Sequence, residues 1–163
     1  MKLSEYLIDQ GILLESRKGT KWEVLECLTR HYCRSLPENI GDLVINTVLT
    51  REMKTSTGLG DGLAVPHGRT DAVNKTGILF ARFKEGIEWE SSDGGLVYFV
   101  FLVIGPVCSA NEYLDILSTI SKILSRKTLR TALLSASFPE QVIQMMDAVK
   151  GRKKPRNNTR IKN

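Results

Sequence analysis

The chain has 163 residues, of which 42% are apolar and 25% are charged, as in ordinary globular proteins of one domain. No apolar run approaches the roughly 20 residues that a membrane span requires. The N-terminal stretch lacks the apolar core of a signal peptide. These features argue against membrane insertion and predict a cytoplasmic protein.

The net charge of +5 is concentrated at the C-terminus. Seven of the 23 basic residues lie in 150–163, a segment without an acid, so residues 1–149 hold 16 basic and 18 acidic residues. We expect one domain over 1–149 and a basic, disordered tail over 150–163. The tail either aids solubility or binds nucleic acid or another anionic surface weakly, in a salt-sensitive way. The body gives no indication of nucleic-acid binding.

Two helices are predicted in the first third of the chain. Thr20 and Glu23 have the spacing of a capping box, which marks a helix start. A stripe of one face follows at helical spacing, comprising Trp22, Leu25, Leu28 and Tyr32. A second helical pattern runs from about Glu38 to Lys54.

The middle of the chain changes to strand patterns. Short apolar runs at 63–65 and 77–83 predict two strands. The stretch 96–104 contains nine apolar residues without a charge, many of them β-branched or aromatic, which favours a strand covered on both faces. Such a strand needs helices above and below it, so we predict a layered α/β fold.

Helical patterns return towards the C-terminus. Ser109 and Glu112 again have capping-box spacing, and Ser137 opens the last predicted helix. The apolar stripe after Glu112 contains Tyr113, Ile116, Leu117, Ile120, Ile123 and Leu124. The three cysteines, Cys27, Cys33 and Cys108, lack metal-ligand spacing and are expected to be reduced thiols. We expect neither a metal nor an organic cofactor.

One histidine lies in a glycine-rich segment. His67 follows Pro66, which fixes its own φ and keeps Val65 extended, so the imidazole is predicted at the tip of a rigid corner after a strand. Four glycines surround it, namely Gly58, Gly60, Gly62 and Gly68. A histidine presented in this way can act as a nucleophile or proton carrier near neutral pH. The alternative is a turn that merely contains a histidine.

Several ordered segments together resemble a known family. They are Lys-Gly-Thr-Lys at 18–21, Leu-Thr-Arg-Glu at 49–52, the run 56–67 that ends in Pro-His, Ile-Glu-Trp at 87–89, Asp-Gly at 93–94, Pro106, and Asn-Glu-Tyr-Leu-Asp-Ile-Leu at 111–117. The chain resembles the type-2 enzyme IIA domains of the bacterial phosphotransferase system (PTS), the fructose/mannitol branch. It is most similar to the stand-alone nitrogen-regulatory type, and the resemblance covers roughly residues 3–148.

The resemblance implies a fold and a function. The fold is a three-layer α/β/α arrangement with a mixed central sheet and helices on both faces. His67 is at the position of the histidine that accepts a phosphoryl group from the phosphocarrier protein HPr or a related protein. The group then passes to a IIB domain or marks the protein for binding to a regulatory target. We expect mainly regulation, with sugar uptake and a catalytically decayed regulatory binding protein as alternatives.

Partners for the phosphoryl group are predicted around His67. Arg51 matches the arginine of the family before the motif, and its planar fork suits phosphate oxygens, with Arg69 a weaker candidate. The backbone N–H groups of the four glycines are expected to receive the phosphate. Tyr113 is at the position of the accessory histidine found in many members, where a phenol donates one hydrogen bond. Glu52 is expected to be a solvated charge.

Overall fold

The structure is a computed structural model that describes residues 1–149, so the predicted tail over 150–163 lies outside the described residues. A 3-10 helix, Leu3–Tyr6, precedes the first strand. The strands are β1 (Leu7–Leu13), β2 (Gly58–Gly60), β3 (Leu63–Ala64), β4 (His67–Arg69), β5 (Gly77–Ile87) and β6 (Val97–Gly105). The helices are α1 (Lys21–Tyr32), α2 (Glu38–Lys54), α3 (Ala110–Leu124), α4 (Lys127–Ser135) and α5 (Pro139–Asp147). Within 1–149, no helix has the length and apolar character needed to cross a bilayer.

The six strands form one mixed sheet. Its order is β1-β5-β6-β3-β2, and β4 pairs with β6 beyond the end of β3. Strand β6 is antiparallel to β5 and parallel to both β3 and β4. Because β3 and β4 lie along the same edge of β6, the chain between them passes from one half of β6 to the other.

Strand β6 is buried on both faces, which confirms the prediction for this segment. Phe101 and Val103 point into a core formed with α3, α4 and α5. Leu102 and Ile104 point into a second core formed with α1 and α2. The sheet is therefore covered by helices on both sides, and the predicted three-layer α/β/α fold is confirmed.

The helix boundaries test the capping predictions. The box at Thr20 is present, with the Glu23 N–H donating to Thr20 Oγ1 at 3.2 Å, and α2 has its predicted ends. The box at Ser109 is wrong, because Ser109 makes no side-chain cap and the Glu112 carboxylate instead accepts from Tyr6 and Thr76. A long-range contact thus replaces the local one.

Some elements differ from the prediction. In α1, Leu25 and Leu28 are buried as predicted, but Trp22 is 41% exposed and Val24 is buried in its place. Strand β1 and helix α4 were not predicted. The alternation of β1 is interrupted at Gln10, which has a positive φ of 47°, where the register with β5 shifts. Strand β5 also extends past the predicted end at Phe83.

Candidate functional site

His67 occupies a corner of the sheet. It is the first residue of β4 and pairs with Val103, whose N–H donates to the Pro66 carbonyl. The predicted strand ends before Pro66, and His67 follows that corner as the first residue of a further short strand, which the sequence did not predict. The reason is that Pro66 interrupts one edge of β6 without ending it, so the chain re-pairs immediately afterwards.

The tautomer of the neutral His67 ring is set by the backbone carbonyl of Val65. The Nδ1 atom lies 2.7 Å from the carbonyl oxygen of Val65. A carbonyl oxygen only accepts, so Nδ1 carries the hydrogen and donates it. In the neutral ring Nε2 is then the unprotonated nitrogen, which is the form required of a nucleophile.

The surroundings favour the neutral ring. Burial lowers the pKa of the His67 imidazole below its usual value, and the positive charges of Arg51 and Arg69 act in the same direction. The hydrogen bond to Val65 and the carboxylate of Glu52 oppose this shift without reversing it. The imidazole is accordingly neutral at pH 7.

His67 lines an open cavity of about 760 Å³ between α2, β4 and α3. Its residues are Asn46, Thr47, Thr50, Arg51, Lys54, His67, Gly68, Arg69, Ala110, Tyr113, Leu114 and Leu117. Gly68 permits this arrangement, since a Cβ there would lie 3.0 Å from Thr47 Cγ2 and 3.3 Å from Val48 Cγ2. A side chain at this position would therefore require Thr47 and Val48 to shift by a few tenths of an ångström.

Arg51 faces the same cavity as His67, as the sequence predicts. It lies in the last turn of α2, and its Nη1 atom donates to the Thr55 carbonyl at 2.9 Å. That bond uses one N–H of Nη1, and the other N–H donors of the guanidinium group can bind an anion. Arg69, the weaker candidate, also lines the cavity.

Tyr113 packs directly against the catalytic candidate. Its ring meets the His67 ring edge-on, with centroids 5.3 Å apart and planes at 68°. Its hydroxyl is buried and has no hydrogen-bond partner within the described chain. Burial raises the pKa of this phenol, so it keeps its proton and remains a donor. An orphaned buried hydroxyl costs about 1–3 kcal/mol, which a ligand oxygen beside it would recover.

Three of the four glycines predicted to bind phosphate lie in another part of the sheet. Gly58 and Gly60 belong to β2, and Gly62 follows in the turn to β3; none of them lines the cavity that contains His67. The positive φ of Gly60 and Gly62, 90° and 77°, is used to make that turn. Gly68 alone lines the cavity. Strand β3 separates the turn from the histidine.

Glu52 is not a solvated charge. It is 2% exposed and forms an ion pair with Lys21 Nζ at 2.9 Å. It also accepts hydrogen bonds from the Thr57 N–H and hydroxyl and from Trp89 Nε1. This buried network anchors the chain just beyond α2, next to the Thr55 carbonyl that Arg51 contacts.

Sequence reasoning missed several residues of the cavity. Thr47, Thr50 and Lys54 share one face of α2 with Arg51, and Leu114 and Leu117 share one face of α3 with Tyr113. For Thr47, Lys54 and Leu117, a spacing of three or four residues from Arg51 or Tyr113 was the signal that could have found them. His31, the second histidine, lies on α1, contacts the Gln10 carbonyl of β1 and does not line the cavity.

Comparison with known proteins identifies the family. Residues 5–149 match the family described as "Phosphoenolpyruvate-dependent sugar phosphotransferase system, EIIA 2". The chain belongs to this family. The PTS component that it represents acts in phosphoryl transfer, which agrees with a neutral imidazole beside an arginine.

Individual relatives are similar over most of the chain. It is 33% identical over 138 residues to the fructose-specific EIIA component of Haloferax volcanii, covering 85% of this chain and 90% of that protein. It is 31% identical over 147 residues to the fructose-specific EIIABC component of Bacillus subtilis, covering 90% of this chain but 23% of that protein. The chain thus spans less than a quarter of that longer relative.

A solved structure has the same fold. The crystal structure of the nitrogen regulatory protein IIA-Ntr from Neisseria meningitidis superimposes with a TM-score of 0.82 at 29% identity. The match covers 88% of this chain and 98% of the other.

Proposed function

We propose that the chain is a phosphohistidine carrier in which His67 accepts a phosphoryl group from an HPr-like phosphocarrier. The observation that carries the proposal is the Nδ1 hydrogen bond to the Val65 carbonyl, which leaves Nε2 unprotonated at the edge of the cavity. Arg51 and Tyr113 supply a cation and an unpartnered donor beside it.

The phosphoryl transfer from the donor to His67 needs no cofactor, because one N–P bond breaks as another forms. The N–P bond of the donor phosphohistidine breaks, and its electron pair returns to the donor nitrogen. The lone pair of His67 Nε2 forms the new N–P bond, while the Nδ1 proton stays on the ring, held by Val65. The protein therefore contributes positioning and charge stabilisation. Arg51 stabilises the charge on the oxygens, and Tyr113 donates to one of them.

The phosphorylated chain then acts mainly in regulation, through a target protein that binds one phosphorylation state. Its similarity to a nitrogen regulatory protein over 88% of its length supports this role. Tyr113 supports it weakly, because a phenol does not share a proton with His67 as a second histidine would. We place this activity in the cytoplasm, where its three free thiols stay reduced.

Sugar uptake is the second candidate, favoured by the similarity to a fructose-specific EIIA component. In that role the phosphoryl group passes to a IIB domain. Incubation of the phosphorylated chain with a fructose-type IIB domain from the same organism separates the two roles. Rapid loss of the label to the IIB domain supports uptake, and retention of the label supports regulation.

The experiment that tests the carrier is phosphorylation by phosphoenolpyruvate, enzyme I and the organism's own HPr-like protein. We expect an acid-labile mass gain of one phosphoryl group in the wild type and none in His67→Gln. His31→Gln is the matched control, since it removes the other histidine, and it should be labelled normally. An unlabelled wild type would overturn the carrier and favour a decayed regulatory binding protein.

A further inference from the structure

The first turn of α3 carries Tyr113 but has no side-chain cap of its own. Ser109 caps no backbone N–H with its hydroxyl, and the turn before it is exposed at Val107 and Cys108. A helix start of this kind frays unless another part of the protein holds it. Because Tyr113 is the fourth residue of α3, the position of its hydroxyl depends on whatever fixes this turn.

Glu112 ties this turn to two distant segments of the chain. Its Oε1 atom accepts from the Tyr6 hydroxyl at 2.8 Å, and its Oε2 atom accepts from the Thr76 hydroxyl at 3.1 Å. Tyr6 ends the 3-10 helix before β1, and Thr76 directly precedes β5. Both oxygens of one carboxylate are therefore used, by donors that meet the helix only in the folded protein.

The two donors are themselves held in place. Thr76 is buried, and its hydroxyl lies against Gly105 at the end of β6, where a Cβ would lie 2.7 Å from Thr76 Oγ1. Burial, and then the hydrogen bond to Glu112, raise the pKa of Tyr6 to about 12, so its phenol keeps the proton that it donates. The Glu112 carboxylate is thus bound by two hydroxyls whose positions the fold fixes.

Glu112 does not line the cavity that contains His67. The next residue, Tyr113, is the one whose ring meets the His67 ring edge-on at 5.3 Å. Consecutive residues of a helix point about 100° apart, so the Glu112 carboxylate and the Tyr113 ring reach different neighbours. A hydroxyl that donates to a phosphoryl oxygen must be placed within about half an ångström. A displacement of the turn would carry the Tyr113 hydroxyl with it.

We propose that Glu112 is a positioning residue for phosphoryl transfer to His67; this rests on the proposed function. By accepting from Tyr6 and Thr76, its carboxylate fixes the first turn of α3. The fixed turn holds the Tyr113 hydroxyl where it donates to the phosphoryl group. Glu112 therefore acts through its neighbour in the helix and does not bind the phosphoryl group itself.

The test measures single-turnover phosphoryl transfer to the full chain from the phosphorylated HPr-like protein of the same organism, over a range of donor concentrations. We expect Glu112→Ala to lower the maximal rate about tenfold, the same factor as loss of the Tyr113 hydroxyl. The half-saturating donor concentration should not change, because Glu112 does not line the cavity. Glu112→Gln should be close to the wild type, since an amide can accept from one hydroxyl and donate to the other.

Two further variants separate the hydrogen bonds from charge. Asp115→Asn is the matched control, because Asp115 is a carboxylate of the same helix that also raises the pKa of Tyr6 but forms no ion pair within residues 1–149. It should leave the rate within about twofold. Tyr6→Phe removes one donor and should give a rate between those of the wild type and Glu112→Ala. If Glu112→Ala fails to fold, Tyr6→Phe takes its place below.

The double variant Glu112→Ala/Tyr113→Phe decides whether the effect passes through the Tyr113 hydroxyl. If it does, the double variant is as slow as Tyr113→Phe alone, about tenfold below the wild type. A merely structural role would multiply the two losses to about a hundredfold, and that result would overturn the proposal. A wild-type rate for Glu112→Ala or for Tyr113→Phe would also overturn it. No transfer to the wild type at any donor concentration would instead refute the proposed function.

Discussion

At the scale of single residues, the chemistry depends on which nitrogen of His67 carries the proton. The Val65 carbonyl decides this through a contact of 2.7 Å within one tripeptide, so the local backbone orients the nucleophile. What Val65 cannot provide is a group for the phosphoryl oxygens. In the proposed carrier, Arg51 and Tyr113 supply such groups from two different helices.

The His67 ring should titrate below its ordinary range. Burial and the charges of Arg51 and Arg69 lower its pKa, so the neutral nucleophile persists as the pH falls to about 6.5 and is lost below that. NMR titration of the imidazole C–H signals, assigned with His67→Gln, measures the midpoint. Arg69→Gln removes one of the charges and should move the midpoint upwards. A wild-type midpoint above 6.5 would contradict the described environment.

Tyr113→Phe separates donation from packing. The variant keeps the ring against His67 but removes the orphaned hydroxyl, so the protein should be as stable as the wild type or more so. Phosphoryl transfer should slow about tenfold, the value of one hydrogen bond to a charged oxygen. Thermal unfolding and single-turnover transfer are the two measurements. Equal transfer rates in the two proteins would remove Tyr113 from the site.

At the scale of elements, one side of α2 lines the cavity and the other side makes buried polar contacts. Thr47, Arg51 and Lys54 face the cavity, whereas Glu52 points inwards to Lys21 and Trp89. The helix therefore ends where the buried network anchors it, and the position of Arg51 depends on that end.

Glu52→Gln should destabilise the protein by about 3–5 kcal/mol, because it leaves the Lys21 ammonium buried without its counter-charge. Urea unfolding followed by tryptophan fluorescence measures the loss. Glu88→Gln, at an exposed site next to Trp89, is the control and should change stability by less than about 0.5 kcal/mol. Adding Lys21→Met to Glu52→Gln should recover part of the loss. No recovery in the double variant would show that the ion pair is not the cause.

At the scale of the whole molecule, one buried arginine joins the sheet to the C-terminal helices. Arg82 of β5 is 1% exposed, and its Nη1 atom donates to the carbonyls of Leu133, Leu134 and Ala136. Its Nε atom donates to Leu14 after β1. The guanidinium thus satisfies carbonyls at the end of α4 that helix geometry leaves without partners.

Arg82→Met should keep the volume of the side chain but leave those carbonyls unpaired. We expect a loss of about 3 kcal/mol and a fall in Tm of roughly 10 °C for a chain of this size. Calorimetry measures both. Phosphorylation of His67 at 25 °C should persist, because α4 and α5 do not line the cavity. Arg126→Met, at an exposed site before α4, is the control.

The sequence by itself determined the local features of this protein. The Thr20 cap, the limits of α2 and the doubly buried strand β6 follow from short-range spacing, and so does the Pro-His corner. The ordered motifs also gave the family and the three-layer fold. The cap, the limits of α2 and the β6 pattern each lie within one stretch of the chain, so local propensity and periodicity carry them, whereas the family and the three-layer arrangement came from the resemblance.

Only the tertiary structure decided the partners of each polar group. In the folded chain the Glu112 carboxylate accepts from Tyr6 rather than capping its helix, Glu52 is buried with Lys21, and Gly58 does not line the cavity that contains His67. The physical reason is that a buried charge or hydroxyl needs a partner, and that partner lies on another element far along the chain. No local pattern records such a pairing, so these partners could be identified only once the helices were packed.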